Sequence, residues 1–494
     1  MRRLNRSTLA GLPPDVGRPA YDLDAVSTGM VHLGVGAFHR AHQAVYFDER
    51  LAAGERDWAI CGVSLQSAST RDALAPQDGL YTLSIRSPER EQLRVIGALR
   101  EGLVAPANPT ALLERLADAR VKIVSLTVTE KGYCHDPATC DLSLAHPDII
   151  HDLMNLSAPK SAPGVLVAAL ARRREAGVAP FTILSCDNLP SNGETTRKVV
   201  TQFAALHDAD LRDWIAGEVA FPSTMVDRIV PATTDDDRAR VAAALAVEDA
   251  WPVVTEPFRQ WVVEDHFPLG RPRLEDSGAT LVENVAPFEL AKLRLLNGAH
   301  SALAYLGYLA GYQTLAEVTA NPAFARFARG LMDEAGPTLR GLGDLGPYKA
   351  QLLERFHNPG LRHRTWQIAM DGSQKLPQRL LGTIHDRLAS GAPIPRLALA
   401  VAAWMRYVTG VDEQGRPIDV RDPLKAKFAA IAEAAGADAT RLADGLLGLR
   451  QVFPVGLAAD ARFRDAVVEA LTSLMQEGAR ATVEGFEGWV AGLR

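Results

Sequence analysis

Short apolar, β-rich runs alternate with amphipathic stretches over the first ~280 residues, the pattern of an α/β architecture. Gly29-Met30-Val31-His32-Leu33 reads as a strand entering the turn Gly34-Val35-Gly36, and a helix is predicted from about Phe38 to Leu51. Further strands are predicted at Trp58 to Val63, Tyr81 to Ile85, Leu93 to Ile96, Ile123 to Val128 and Phe181 to Ser185. A helix is predicted between the last two, from about Pro163 to Glu175. From about Ala286 onward, long Ala/Leu-rich helical stretches punctuated by Pro and Gly take over, and strand signals nearly vanish. Two domains are therefore expected, 1–283 and 284–494, packed closely around a cleft.

The strand–turn–helix context of Gly34-Val35-Gly36-Ala37-Phe38 is the one a dinucleotide site requires. The first glycine permits a tight turn, and the second lets the backbone approach a pyrophosphate at the helix N-terminus. His39 stands where a third glycine would complete the fingerprint, and a Gly-X-Gly turn is also compatible with a plain strand-to-helix connection. The next strand runs into Ser64-Leu65-Gln66 with no acid until Asp72, so the usual barrier to a ribose 2′-phosphate is not visible. NAD is the cofactor expected here.

A second segment carrying chemistry is Pro287-Phe288-Glu289-Leu290-Ala291-Lys292-Leu293-Arg294-Leu295-Leu296-Asn297-Gly298-Ala299-His300. Read as one α-helix, with Pro287 in its first turn, it places Glu289, Lys292, Asn297 and His300 within an arc of about 140°. These residues are compatible with a solvated face whose Glu289–Lys292 pair contributes a few tenths of a kcal/mol. They also suit catalysis, because a buried lysine loses proton affinity and an amide can donate to a developing alkoxide.

Composition narrows the classes. The 494 residues are 47% hydrophobic and 23% charged with a net charge of −6, which excludes extensive disorder and argues against a general nucleic-acid binder. The four cysteines, Cys61, Cys134, Cys140 and Cys186, form no close pair, so a reducing, cytoplasmic setting is expected. The apolar stretch Leu397 to Trp404 is cut off by Arg406, far short of the ~20 residues a membrane span needs. His39 and His42 are three apart, but no Cys or carboxylate is spaced to complete a metal site, and no metal is expected. The partner expected is a small-molecule substrate, with the chain a monomer or small homo-oligomer.

The spacing Lys292-x4-Asn297-x2-His300 resembles the signature of the long-chain mannitol dehydrogenase family. The resemblance extends through Val31 to Gln43, Thr129-Glu130-Lys131-Gly132-Tyr133, Ser185-Cys186-Asp187-Asn188, Phe221-Pro222 and Met225-Val226-Asp227-Arg228. It implies an N-terminal Rossmann-type domain, a mostly helical C-terminal domain and a metal-free active site between them. It further implies Lys292 as general base in alcohol oxidation and general acid in ketone reduction, and Asn188 and Asn297 as the oxyanion hole. His300 and Asp227 would bind substrate hydroxyls, and Glu130 and Glu289 would line the site and take part in proton movement. A non-catalytic nucleotide sensor would have no need of Lys292, Asn188 and Asn297 together.

Within the family, Arg364 to Arg379 and the block Val128 to Cys134 resemble the fructuronate reductase (mannonate oxidoreductase) branch. Gln367 stands where mannitol dehydrogenases typically carry Arg, while Lys375 is retained. A uronate needs a cation for its carboxylate, which Lys375, Arg364 or Arg379 could supply, although the cluster also fits a solvated loop. The expected reaction is NAD-dependent reduction of D-fructuronate to D-mannonate and its reverse. The alternative is a mannitol 2-dehydrogenase or another polyol dehydrogenase, acting on D-arabinitol or sorbitol.

Overall fold

The run Thr28–Leu33 (β1) is buried along its whole length at the centre of a five-stranded sheet. The structure is a computed structural model describing residues 2–136 and 139–492. The chain divides into two units, Met1–Ala286 and Pro287–Arg494.

In the first unit, β1 is followed by β2 (Ala59–Ser64), β3 (Tyr81–Arg86), β4 (Glu91–Ile96), β5 (Leu99–Val104), β6 (Ile123–Leu126) and β7 (Thr182–Ser185). The main sheet has the order β5-β2-β1-β6-β7 with every neighbouring pair parallel. A parallel sheet buries both faces, and the two-residue period sorts its side chains accordingly. Met30, Ile60 and Ile123 enter one core with Val45, Phe47 and Leu51 of the helix Gln43–Ala52. Val31, Cys61, Val124 and Ile183 enter the other, with Leu112 and Leu113 of helix Pro109–Ala117 and Leu166 and Leu170 of helix Ala162–Glu175. The strand order reverses between β1 and β6, and ligands of open α/β sheets bind at the carboxyl ends beside such a reversal.

The remaining strands are β8 (Thr224–Asp227), β9 (Val253–Thr255), β10 (Gln260–Glu264) and β11 (Thr280–Val282). They build two three-stranded sheets, β4-β3-β9 and β11-β10-β8. The pattern reading anticipated neither these four strands nor β5. The helix predicted from Phe38 to Leu51 is two helices, Ala37–Ala41 and Gln43–Ala52, broken at His42 (φ −122°, ψ −89°). The break has a visible partner, since the His42 Nε2 lies 2.8 Å from the Gln260 carbonyl oxygen of β10.

The second unit has no strand among the described residues, only isolated bridges such as Thr314 with Arg364. Its core gathers Leu303 and Leu306 of helix Gly298–Leu309, Phe324 and Phe327 of helix Pro322–Ala335, and Leu399 and Trp404 of helix Pro395–Tyr407. The segment read as one α-helix from Pro287 to His300 changes register. An α-helix over Ala286–Ala291 gives way to a π-helical turn over Lys292–Asn297 before α-helix resumes at Gly298. Among the described residues no helix is long and apolar enough to cross a membrane.

The two glycines after β1 differ in what they require. Gly34 has φ +95°, and a Cβ there would lie 2.2 Å from the Thr127 carbonyl oxygen beyond β6. Gly36 has φ −80°, and a Cβ would meet nothing nearer than 4.0 Å. Gly34→Ala is therefore expected to destabilise the first unit by about 2–4 kcal/mol through backbone strain and overpacking. Gly36→Ala should stay within about 0.5 kcal/mol of the parent. Paired thermal and denaturant unfolding of the two variants checks this; equal losses would contradict it.

Candidate active site

The carboxyl ends of β1, β6 and β7 carry the candidate residues of the first unit, apart from Asp227 at the end of β8. Below the glycine turn His32 is buried, with Nδ1 2.7 Å from Ser125 Oγ and Nε2 2.8 Å from Thr127 Oγ1 and 3.2 Å from the Gly34 carbonyl. Burial pushes its pKa from 6.5 down to about 3, so a neutral imidazole ties β1 to β6 through the turn. The His39 ring stacks on it at 3.4 Å between centroids. Burial, followed by the neighbouring His32, holds His39 well below the usual histidine range as well. The residue in place of a third glycine is thus a neutral packing element under the turn.

Gly36 itself is exposed, Ala37 and Phe38 are partly buried, and Val35 packs inward. At the carboxyl half of β2 lies a cavity of about 270 Å³, lined among others by Val35, Gly62, Ser64, Arg71, Glu101 and Gly102. Two acids do line this cavity, Asp78 and, from β5, Glu101, which accepts from Thr28 Oγ1 at 2.6 Å and pairs with Arg115 at 2.7 Å. A turn whose second glycine faces open space, beside an open cavity at the sheet's carboxyl edge, suits the approach of a dinucleotide.

Glu130 is exposed on a short helix, Thr129–Gly132, just past β6, and Asn188 is exposed just past β7. Between them stands Asp187, for which the sequence supplied no role. Its Oδ2 accepts from the Val128 amide at 2.9 Å and from the Tyr133 hydroxyl at 2.8 Å, and its Oδ1 accepts from the Thr129 amide at 2.9 Å. Despite these bonds, burial pushes the carboxyl from 3.8 up to about 6. Thr129 has φ +64°, a region that a β-branched residue enters only under constraint. The loop after β7 is anchored in turn by Asn192, whose Nδ2 donates to the Asp187 carbonyl at 3.0 Å and the Thr224 carbonyl at 2.9 Å. Asn192 thus links the Asn188 loop to β8, which ends at the buried Asp227.

In the second unit, the π-helical turn accounts for the spacing of Lys292 and Asn297. Five residues apart on an α-helix, two side chains diverge by about 140°. In a π turn hydrogen bonds run i→i+5, so the same two positions stack on one side. Lys292 is buried, Asn297 half-buried and Glu289 half-buried one turn earlier. Arg294 pairs with Asp386 at 2.7 Å. Gly298 allows a second π-helical turn, Pro377–Leu381, to approach: a Cβ there would sit 3.0 Å from the Arg379 carbonyl oxygen. The second turn has its own cause, because Pro377 lies inside a helical run and lacks the amide an α-helix would use.

His300 is buried, stacked on Phe356 (5.5 Å, 11°) and edge-on to His363 (4.8 Å, 65°). Its Nε2 has no hydrogen-bond partner among the described residues. Burial first, then His363, Arg379, Lys375 and Arg355, hold its pKa well below the usual histidine range. His363 is likewise lowered to about 4 by burial and Lys375. Lys375 donates to the Ile368 and Met370 carbonyls, and Arg379 donates to Ser301 Oγ at 3.0 Å. Lys375 and Arg379 are thus gathered at His300, whereas Arg364 is exposed at the N-terminus of the helix Thr365–Ala369 that carries half-buried Gln367. Arg379 is half-buried rather than a solvated loop residue. Sequence reasoning missed His363 and Arg355; Arg362-His363-Arg364 offered a basic signal for the first, and nothing distinguished the second.

Residues 28–276 match the mannitol dehydrogenase Rossmann domain, and residues 284–475 the mannitol dehydrogenase C-terminal domain. The chain is 48% identical over 477 residues to D-mannonate oxidoreductase of Escherichia coli (strain K12), covering 95% of this chain and 97% of that protein. It is 42% identical over 491 residues to a mannitol 2-dehydrogenase of Phaeosphaeria nodorum, covering 97% and 85%. Among solved structures it resembles Pseudomonas fluorescens mannitol 2-dehydrogenase in ternary complex with NAD and D-mannitol. That likeness has a TM-score of 0.89 and 41% identity over 98% of this chain and 99% of that one. With both domain matches in one chain and relatives of this closeness, the protein belongs to the mannitol dehydrogenase family, oxidoreductases acting on CH–OH groups.

Proposed function

We propose that this chain is an NAD-dependent dehydrogenase interconverting the keto-uronate D-fructuronate and the aldonate D-mannonate, without a metal and with Lys292 as the acid–base group. The observation that carries the substrate class is the group of cations around His300, Arg379, Lys375 and Arg355, which disfavour its protonation beyond the effect of burial. A positive environment of this kind favours a carboxylate over a neutral terminal hydroxyl. The 48% identity to a mannonate oxidoreductase agrees with it. The second reading, mannitol 2-dehydrogenase, draws support from relatives at 42% and 41% identity.

Residues 1–283 would hold the dinucleotide, with Gly34, Val35, Gly36, Ala37 and Phe38 forming the turn for its pyrophosphate. Bound there, the nicotinamide supplies or accepts the hydride. In ketone reduction the Lys292 ammonium donates a proton to the carbonyl oxygen; in alcohol oxidation its neutral amine takes the hydroxyl proton. The Asn188 and Asn297 amides donate to the oxygen while it carries negative charge, where preformed donors act most strongly. His300, kept neutral by burial and cations, serves as a hydrogen-bond partner for a substrate hydroxyl and not as the acid. Asp227 binds a second hydroxyl, and Glu130 and Glu289 relay protons. Lys375 and Arg379 meet the carboxylate.

Lys292→Ala should lower kcat by ~10²–10⁴, the range for loss of a positioned acid–base group. Its NADH dissociation constant, read by fluorescence, should stay near the parent value; near-normal turnover contradicts the assignment. For the substrate class, kcat/KM with fructuronate should exceed that with fructose by roughly tenfold or more. A charged hydrogen bond to the carboxylate contributes ~1.5–3 kcal/mol, at ~1.4 kcal/mol per decade. Lys375→Met should erode that ratio by weakening the acid substrate. Comparable values for both substrates in the parent protein favour the polyol reading instead.

A further inference from the structure

We propose that Asp187 is a positioning residue, whose carboxylate, held by the Val128 and Thr129 amides and the Tyr133 hydroxyl, fixes the turn carrying Glu130 and sets the adjoining Asn188. The inference rests on the reading that Glu130 and Asn188 serve the reaction.

Three donors converge on one carboxylate, at 2.9, 2.8 and 2.9 Å. Two of them are consecutive amides at the start of the Glu130 helix, and the second belongs to Thr129 at φ +64°. A threonine keeps that conformation only while something holds it there, and the Oδ1 bond to its amide is the visible restraint. One residue further along the chain stands Asn188. The carboxylate therefore couples the loop after β6 to the loop after β7, through hydrogen bonds that need acceptors on both oxygens.

Ionisation is what makes those bonds strong. All three neighbours donate, so protonation removes the charge they share and takes one lone pair, which weakens the set. The escape the geometry offers is for the Tyr133 hydroxyl to turn toward Ser185 Oγ, 2.6 Å away. The titratable groups facing Asp187 are Tyr133, Cys186 and Glu130. Burial raises the Tyr133 and Cys186 pKa values, so both stay neutral, and the Glu130 charge disfavours the Asp187 anion. Burial leaves the group titrating at about 6, so protonation occurs within the accessible pH range. The bond from Tyr133 favours the charged form. Losing it must move the titration to higher pH.

The test is the pH dependence of kcat for fructuronate reduction in the parent, Asp187→Asn and Tyr133→Phe, with NADH affinity read by fluorescence. The parent should lose activity as pH falls through about 6. Tyr133→Phe should shift that acid limb to higher pH with its plateau largely retained. Asp187→Asn should abolish the limb and lower the plateau about tenfold to a hundredfold, as misplacement of reacting groups does, with NADH affinity retained. An acid limb that stays put in Tyr133→Phe, or persists in Asp187→Asn, overturns the inference; if Asp187→Asn does not fold, the Tyr133→Phe shift still decides. Should Lys292→Ala be inactive while both variants keep the parent limb, the role of Asp187 falls and the proposed reaction stands.

Discussion

Between Lys292 and Asn297 the helix leaves the α register for one wide turn, and the proposed chemistry of the second unit is organised around that change. In that proposal an ammonium group and an amide donor meet the same oxygen, one to move its proton and the other to stabilise its charge. A regular α-helix turns residues at this spacing well apart. The i→i+5 register stacks them. The wide turn has a counterpart in Pro377–Leu381, forced by a proline, whose Arg379 carbonyl packs against Gly298. A local distortion is thus supported by backbone packing from another segment, which is how strained functional geometry persists.

In the first unit the corresponding constraint is polar. Open α/β sheets bring loops to the carboxyl edge but do not by themselves hold them. Here the loops are tied by polar side chains: buried His32 joins β1 to β6, half-buried Asp187 joins the loops after β6 and β7, and buried Asn192 joins the β7 loop to β8. The Asn192 tie also satisfies the buried Thr224 carbonyl, a group otherwise costly to leave without a partner. Burial also sets the protonation states, leaving His32 and His39 neutral and Asp187 poised near pH 6.

Much of this was legible in the sequence, because some signals are local. β1, β2, β6 and β7 are predominantly apolar runs, as strands buried on both faces tend to be, and each appears within two residues of its predicted bounds. β5 was not legible, since Leu99-Arg100-Glu101-Gly102-Leu103-Val104 mixes charges and glycine on a sheet edge. The break at His42 depends on a carbonyl of β10, more than 200 positions away in the chain. The π-helical turn was hidden for another reason: flanked by leucine and alanine, a six-residue segment carries no periodicity that separates it from an α-helix. Lys292, Asn297 and His300 announced themselves by spacing. Arg355 and His363 matter only because folding sets them beside His300, and Asp187 because three donors converge on it.

The central claim, that a lysine raised on a wide helical turn moves the proton, is tested most directly by chemical rescue of Lys292→Ala. Small primary amines of graded basicity, added to the variant, should restore fructuronate reduction in proportion to amine concentration. The logarithm of the rescued rate should follow amine pKa once molecular volume is allowed for. A variant that no amine revives, while it still binds NADH and substrate, would contradict the account.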